Sequence, residues 1–302
     1  MATLLQLIQR ACQETGLNQP NAIVSSNNKQ TQQFLGLANM LGQQMVADFE
    51  WEKLVKVQQF QVQTETQDGA TTNGSAVITG LTDTSNLSTN WSVTGTNIFT
   101  PSTIVSVDSP TQVTISYPAT GSGTGSLTFT QLVYDLPTDW DRQINRTHWD
   151  RTNHWEMVGP KSAQEWQWLQ GGIVATGPRI RYRIFGGKFN IWPIEVSASQ
   201  LAYEYLSSSW VYAVGQDTPT KQYFTADDDT CIFKDRLMIA GLKLLFWQAK
   251  GLDTTAFQRD YDRELSTSMA QDHGAPTLSL APVMDTVLIS PMNIPDGNVY
   301  GS

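Results

Sequence analysis

A stretch of 85 residues without a single lysine or arginine is the feature that most limits how this chain can fold. It lies between Lys56 and Arg142, and its residues 64–130 include 28 serines and threonines. Short β-type runs recur inside it, separated by glycine, Asn-Gly and Ser-Pro turns. The composition therefore predicts a small β-sandwich inserted into a host domain.

The predicted module covers residues 66–130 and has its own apolar core. Its strands are expected at residues 76–79, 91–94, 103–107, 112–117 and 126–133. Side chains of the type usually buried recur along them: Ile78, Trp91, Ile98, Phe99, Ile104, Val113, Ile115 and Phe129. A disordered threonine-rich stalk is the alternative, but the regular alternation argues against it. Exposed Trp91 and Tyr117 would offer stacking platforms for sugars; otherwise both fill the core of the module.

The flanking sequence predicts both helices and strands. Apolar residues at helical spacing indicate helices over residues 2–15 and 31–49, and a period of two indicates a strand from Lys53. The tryptophan-rich segment 137–170 is interpreted as short helices. Alternating residues around Gly186 and Gly187 predict a hairpin, which a third strand at 201–206 would extend into a meander.

The most apolar helix is expected over residues 231–250. The acidic run 227–229 lies directly before this helix, and its carboxylates favour a helix N-terminus there. Because this helix is apolar almost all round, it must be buried on several sides, either in a tight bundle or in a subunit interface. Gly251 ends it, and a charged helix follows over residues 254–271.

The last residues, 273–302, form no periodic pattern. They contain four prolines and no lysine or arginine, yet they include the apolar runs LSLAPVM and TVLISPM. A solvated tail would be less apolar, so we interpret this segment as an extended arm that becomes ordered on a partner. A flexible terminus is the alternative.

Charge and cysteine content exclude several classes of protein. The net charge is −9 and the pI is about 4.8, so little positive charge is free to bind nucleic acid. Cys12 and Cys231 lie far apart in apolar surroundings, which favours buried thiols over a disulfide framework or a zinc site. No apolar stretch is long enough for a membrane span, and Arg10 and Glu14 come too early for a signal peptide.

Enzyme signatures are weak throughout. The spacing of His148 and His154 fits neither a zincin helix nor a zinc finger, and His273 is expected at a helix end. Asp139 and Asp141 beside Trp140 could suit a glycosidase, although aspartates after a proline are more often helix caps. We therefore predict no catalytic, cofactor-binding or metal-binding residue, and no enzymatic activity.

Four stretches of the sequence resemble the head-to-tail adaptor, or tail tubular A-like, proteins of short-tailed bacteriophages. They are the opening LLQLIQRACQETGL with LGQQMVADFEWEKL, the central YDLPTDWDRQINRTHWD, the pair KFNIWP and QLAYEYLSSSWV, and DRLMIAGLKLLFWQAKGLD with FQRDYDRELSTSMAQDHGAPTLSLAP. The resemblance extends over about 230 residues of the chain. The threonine-rich insert falls outside the resemblance.

The resemblance implies a structural protein of the virion, assembled in the host cytoplasm. Twelve subunits would form a ring between the portal protein and the tail nozzle protein, with tail fibres as further candidate partners. DNA would pass through the channel without specific binding. The fold expected from pattern and resemblance is α+β: a helical bundle with a small antiparallel sheet over residues 1–65 and 131–272, the inserted Ig-like β-sandwich at 66–130 and the arm at 273–302.

Two sets of contact residues follow from this expectation. The portal-contact arm comprises Leu278, Leu280, Val283, Met284, Val287, Leu288 and Ile289. The inter-subunit helix is expected to use Phe233, Leu237, Leu244 and Trp247. Two other classes stay open: another tail component or a receptor- or glycan-binding adhesion protein, and a cell-wall hydrolase.

Overall fold

The computed structural model describes residues 1–171, 179–192 and 198–272. In this part of the chain the α-helices are α1 (Leu4–Glu14), α2 (Lys29–Asp48), α3 (Ala163–Gln170), α4 (Asp235–Ala249) and α5 (Thr255–Asp272). A short 3-10 helix, Glu52–Leu54, precedes the first strand. None of the described helices is long and apolar enough to cross a membrane.

The strands of the same residues are mostly short and antiparallel. They are β1 (Val55–Gln61), β2 (Thr64–Thr71), β3 (Val77–Ile78), β4 (Ser92–Gly95), β5 (Ser102–Ser109), β6 (Gln112–Ile115), β7 (Gly123–Thr130), β8 (Val133–Asp135), β9 (Trp140–Gln143), β10 (Trp149–Asp150), β11 (Trp155–Glu156), β12 (Arg181–Phe185), β13 (Lys188–Trp192), β14 (Gln200–Ser207), β15 (Val211–Tyr212) and β16 (Thr230–Cys231).

The structure is a sheet-rich α+β fold, with about 30% strand and 29% helix. The expectation of a helical bundle with a small sheet is therefore wrong. The main reason lies in the tryptophan-rich segment, where only α3 is helical and Trp140, Trp149 and Trp155 belong to strands. Aromatic side chains fit a half-buried pleated surface, and pairing of β9 and β10 with the distant β14 decides their conformation.

The chain divides into two compact units. The first unit contains Met1–Lys56, Asp139–Gln143 and, of the described residues, 205–272. Its centre is α4, which contacts α1, α2 and α5. Phe34 of α2 stacks on Phe246 of α4 with ring centroids 4.6 Å apart. The predicted helices at both ends of the chain are thus confirmed, with bounds that differ by a few residues.

The acidic run 227–229 does not begin α4, contrary to the prediction. Residues 230 and 231 form β16, and α4 starts at Asp235. The run instead meets the N-terminus of α1: the amides of Leu4 and Leu5 donate to the carbonyls of Asp229 and Asp227 at 2.9 and 3.1 Å. These backbone bonds satisfy donors that an isolated helix start leaves unpaired, so the run caps a helix more than two hundred residues earlier in the chain.

The second unit contains Val57–Thr138 and the described residues of Ile144–Glu204. Six consecutive strands, β2 to β7, form one sheet in the order β2-β7-β4-β5-β6-β3. Backbone hydrogen bonds in both directions between Ala70 and Thr79 link β2 to the end of β3. The outer strands therefore meet, and the sheet closes on itself. The pairings form two groups that share β5, β2-β7-β4-β5 and β5-β6-β3, and the expected sandwich of two packed sheets stays a prediction.

The predicted core of this module is confirmed except at Phe99. Ile78, Trp91, Ile98, Ile104, Val113, Ile115 and Phe129 belong to one buried cluster. Phe99 is 44% exposed. Strand β2 was missed because its sequence, TETQDGAT, has no apolar alternation. It pairs along its whole length with β7, and Gly69 leaves room for Leu127, whose Cδ1 would lie 2.7 Å from an added Cβ.

The predicted hairpin is confirmed, but its third strand is a different one. β12 and β13 pair across Gly186 and Gly187, both with positive φ, and β8 is the next strand of this sheet. The segment predicted at 201–206 lies in β14, whose partners are β1, β9 and β10. The local sequence does not predict that β13 pairs with β8, or that β14 pairs with β1, β9 and β10, because these partners are remote in sequence.

Two glycines of α2 predict opposite effects of the same substitution. A Cβ on Gly42 would lie 2.1 Å from Cη2 of the buried Trp210, whereas a Cβ on Gly36 would have no neighbour within 4 Å. We expect Gly42→Ala to lower the free energy of unfolding by about 1–3 kcal/mol through overpacking. Gly36→Ala should raise it by about 0.5–1 kcal/mol through helix propensity. Urea unfolding of both variants checks this, and equal effects would contradict the packing at Trp210.

Candidate functional site

Three separate segments of the first unit meet at the carboxylate of Asp139. Its Oδ2 accepts hydrogen bonds from Lys56 Nζ and Ser207 Oγ, each at 2.6 Å, and its Oδ1 accepts from the Tyr205 hydroxyl at 2.9 Å. Lys56 ends the first segment of the unit, Asp139 begins the second and Tyr205 begins the third. We call these four residues the Asp139 cluster.

The charge of Asp139 is stabilised by these donors. Burial raises its pKa, but the hydrogen bonds from Lys56, Ser207 and Tyr205 outweigh that effect and hold the pKa of Asp139 below its ordinary value. Nearby, Arg142 Nη1 and Nη2 donate to the carbonyls of Ala47 and Val46 at the end of α2. A cation there also complements the helix dipole. The cluster is therefore built to position chain segments.

The carboxylate pair considered for a glycosidase does not act as a pair. Asp139 is engaged by three side-chain donors, and Asp141 lies 3.4 Å from its neighbour Arg142. Both residues flank Trp140 at the start of β9, so the helix-cap interpretation is wrong as well. Trp140 stacks on Tyr205 with centroids 5.4 Å apart, which adds a further contact between these strands.

The predicted inter-subunit residues lie mainly inside the chain itself. Phe233, Leu237 and Leu244 are buried, and Trp247 is half-buried and stacks on Phe257 of α5 at 5.3 Å. Packing of α4 against its neighbours within the chain explains why its sequence is apolar on several sides. The role of Phe233, Leu237, Leu244 and Trp247 between subunits stays a prediction. The portal-contact arm, Leu278 to Ile289, lies outside the described residues.

His148 is a buried histidine in an aromatic stack of the second unit. Its ring lies 4.1 Å from that of Tyr182 and 5.3 Å from that of Tyr203, and Nδ1 is 3.0 Å from the Tyr182 hydroxyl. Its Nε2 is buried and has no hydrogen-bond partner in the described part of the chain. Burial lowers the pKa of His148 to about 4, so the ring is neutral near pH 7.

The described residues include two of the three histidines and both cysteines, the side chains that metal or thiol chemistry would use. His154 is exposed in a turn, and His273 lies outside these residues. No group of three or more histidine, cysteine, aspartate or glutamate side chains among them could hold a metal ion. Cys12 and Cys231 are free and buried as predicted, and burial raises the pKa of Cys231 to about 12.

The two proposed sugar platforms differ in exposure. Trp91 is only 7% exposed and fills the core of the module, so it offers no stacking surface. Tyr117 is exposed, and its ring pairs with that of Phe99 at a centroid distance of 5.0 Å. The exposed aromatic surface of the module is therefore this Phe99–Tyr117 pair.

An arginine-rich strand face was missed by the sequence analysis. Arg179, Arg181 and Arg183 alternate with the buried Ile180 and Tyr182, and none of the three forms an ion pair with a described carboxylate. We call these three residues the arginine face. The period-two sequence RIRYR already places all three on one side of a strand.

Aromatic and amide side chains continue this face across the hairpin. The Arg183 guanidinium lies 4.8 Å from the centre of the Phe185 ring, in cation–π geometry. Phe185, Lys188, Asn190 and Trp192 line a cleft of about 330 Å³ beside it. The face is thus a structured surface on a rigid hairpin.

No protein-family model matches the sequence, and no curated protein is significantly similar to it.

The Asp139 cluster predicts a large effect of an isosteric substitution. Asp139→Asn removes the charge opposite Lys56 and turns an acceptor into a donor facing other donors. We expect it to lower the free energy of unfolding by about 1–3 kcal/mol. Asp141→Asn is the matched control, because its exposed ion pair contributes at most about 1 kcal/mol. Urea unfolding measures both, and equal losses would show that the cluster adds nothing specific.

The buried His148 predicts a pH-dependent stability of the second unit. Its folded pKa of about 4 lies below the ordinary 6.5, so the unfolded chain binds the proton first. The stabilisation is complete above pH 6.5 and is lost as the pH falls towards 4, by about 3 kcal/mol in total. His148→Phe keeps a stacked ring without this titration. Urea midpoints at several pH values should therefore fall more steeply for the wild type, and parallel curves would refute the assignment.

Proposed function

We propose that this protein is a structural component of a bacteriophage virion: a head-to-tail adaptor that forms a ring between the portal and the tail nozzle and leaves a channel for DNA. One observation carries the proposal. Sequence stretches that resemble this family are scattered over the chain, yet parts of all four contribute to the same compact unit. They supply α1, the end of α2, β9, the end of β14, α4 and α5.

The Asp139 cluster strengthens this argument because each of its members lies in or beside one of those stretches. Asp139 comes from PTDWDR, Tyr205 and Ser207 come from AYEYLSSS, and Lys56 follows WEKLV. The resembling residues are therefore those that hold the unit together, which is what a shared fold requires. A resemblance that arose by chance would have no reason to concentrate on mutually bonded residues.

The charge and the C-terminal sequence are consistent with such a role. A net charge of −9 suits a channel wall that must let DNA slide without retaining it. The apolar, cation-free residues 273–302 follow α5 directly and suit docking on a portal subunit. No cofactor or metal is needed for this function.

A second function, in adhesion, is favoured by the exposed Phe99–Tyr117 pair on the β-module. Exposed aromatic rings among hydroxyl-bearing residues can stack on sugars. In that case the module would act on the cell surface, and the tail would assemble normally without it.

The proposal is tested by particles made when the gene carries a nonsense mutation. Electron microscopy should show filled or leaking heads without tails, and a plasmid copy lacking residues 275–302 should fail to restore them while the protein remains folded. Restoration by the truncated copy would refute the docking role of the arm. Normally tailed particles that do not adsorb would replace the adaptor function with adhesion, and Tyr117→Ala should then reproduce the adsorption defect.

A further inference from the structure

We propose that copies of this chain associate head to tail, with the arginine face of one copy against the cation-free β-module of the next. This inference deepens the proposed function, on which its biological meaning rests, by naming the two surfaces that would join subunits of the ring. It is argued from charges of opposite sign in two parts of the second unit that form no ion pairs with described residues.

The positive surface is built for carboxylate recognition. Arg181 and Arg183 project from the side of β12 opposite the buried Tyr182, and Arg179 continues their row. The Arg183 guanidinium lies over the Phe185 ring, with Cζ 4.8 Å from the ring centre. The planar guanidinium of arginine is suited to a bidentate contact with a carboxylate.

The negative surface is formed by acidic residues of the β-module, whereas Asp135, which follows the module, pairs with Lys188. Residues 57–138 contain five acidic residues and no basic residue, whereas residues 144–204 contain seven basic and five acidic ones. Asp68, Asp83 and Asp108 are exposed, and none lies in an ion pair with a described residue. Asp83 and Asp108 accept only from nearby hydroxyl and amide groups, which hold their pKa values below the ordinary range.

The surroundings of the arginine face favour a protein partner over nucleic acid. Phe185 is exposed beside it. Arginine and aromatic residues are enriched at the centres of protein interfaces. The net charge of −9 repels a polyanion and, at long range, a second copy as well, so association between copies depends on direct contact of the complementary patches.

Two different surfaces on each copy give a heterologous contact. Such contacts repeat from subunit to subunit and close into a ring when the rotation between copies permits it. An isologous dimer would also pair opposite charges if each arginine face met the β-module of the other copy, and it would stop at two copies. Association beyond a dimer therefore distinguishes the head-to-tail arrangement from an isologous one.

Complementary charge reversal on the full-length chain tests the inference. One variant carries Arg181→Glu and Arg183→Glu, and the other carries Asp68→Lys, Asp83→Lys and Asp108→Lys. By sedimentation velocity at low salt, each variant alone should associate at least about tenfold more weakly than the wild type. An equal mixture should regain association, because every contact then joins opposite charges again.

The control is Arg151→Glu with Lys161→Glu, which makes the same change in net charge at other positions of the second unit and should leave association unchanged. Circular dichroism confirms folding of each variant. If the lysine variant is unfolded, the variant with Asp68→Asn, Asp83→Asn and Asp108→Asn replaces it and should associate more weakly than the wild type. Mixed with the arginine variant it should form dimers only, because one of the two kinds of contact is then intact.

Three results would overturn the inference. They are wild-type association in both reversed variants, a mixture that stays dissociated, and a wild-type chain that is monomeric at every salt concentration. A loss of binding to a labelled oligonucleotide in the arginine variant alone, with association intact, would reassign the face to nucleic acid. None of these results affects the test by tailless particles, so failure of the inference is distinguishable from failure of the adaptor function.

Discussion

The hydrogen bonds to the Asp139 carboxylate are the interaction on which the first unit depends. The chain leaves this unit after Lys56, returns at Asp139, leaves again after Gln143 and returns at Tyr205. The half-buried carboxylate of Asp139 lies in the second of these segments and receives donors from the first and the third. Because every donor is a side chain, its position depends on residue identity and not on backbone conformation alone. The long excursions of the chain can therefore vary in sequence while the ends remain fixed.

Elements with strong local periodicity could be predicted from the sequence. The four long helices, the Gly186-Gly187 hairpin and most of the core of the β-module follow from spacing of apolar residues and turn chemistry. The short tryptophan-containing strands could not be predicted, because their conformation depends on pairing with β14. Strand β2 lacked a signal for a different reason: its contribution to the sheet is backbone pairing and a close approach at Gly69.

In the candidate sites too, local sequence patterns predict some features, and others depend on residues far away in the chain. RIRYR contained enough information to locate the arginine face, since a period of two fixes which side chains share a side. Asp139 was noticed only for its neighbour Asp141, while its actual partners lie 83, 66 and 68 residues away. The residues of α4 illustrate a further ambiguity. An apolar helix face indicates burial, but it does not specify whether the covering residues belong to the same chain or to another copy.

The contact between α1 and the acidic loop has a consequence for how the protein is made. α1 is completed early in synthesis, yet the carbonyls that cap it belong to residues 227 and 229. At about 5–20 residues per second, ribosomes need roughly ten seconds or more to supply them. During that interval the apolar faces of α1 and α2 have no α4 to cover them, while the six contiguous strands of the β-module can already pair. The nascent chain thus passes through a state in which its middle is folded and its beginning is not, and the N-terminal helices are the segment most in need of a chaperone.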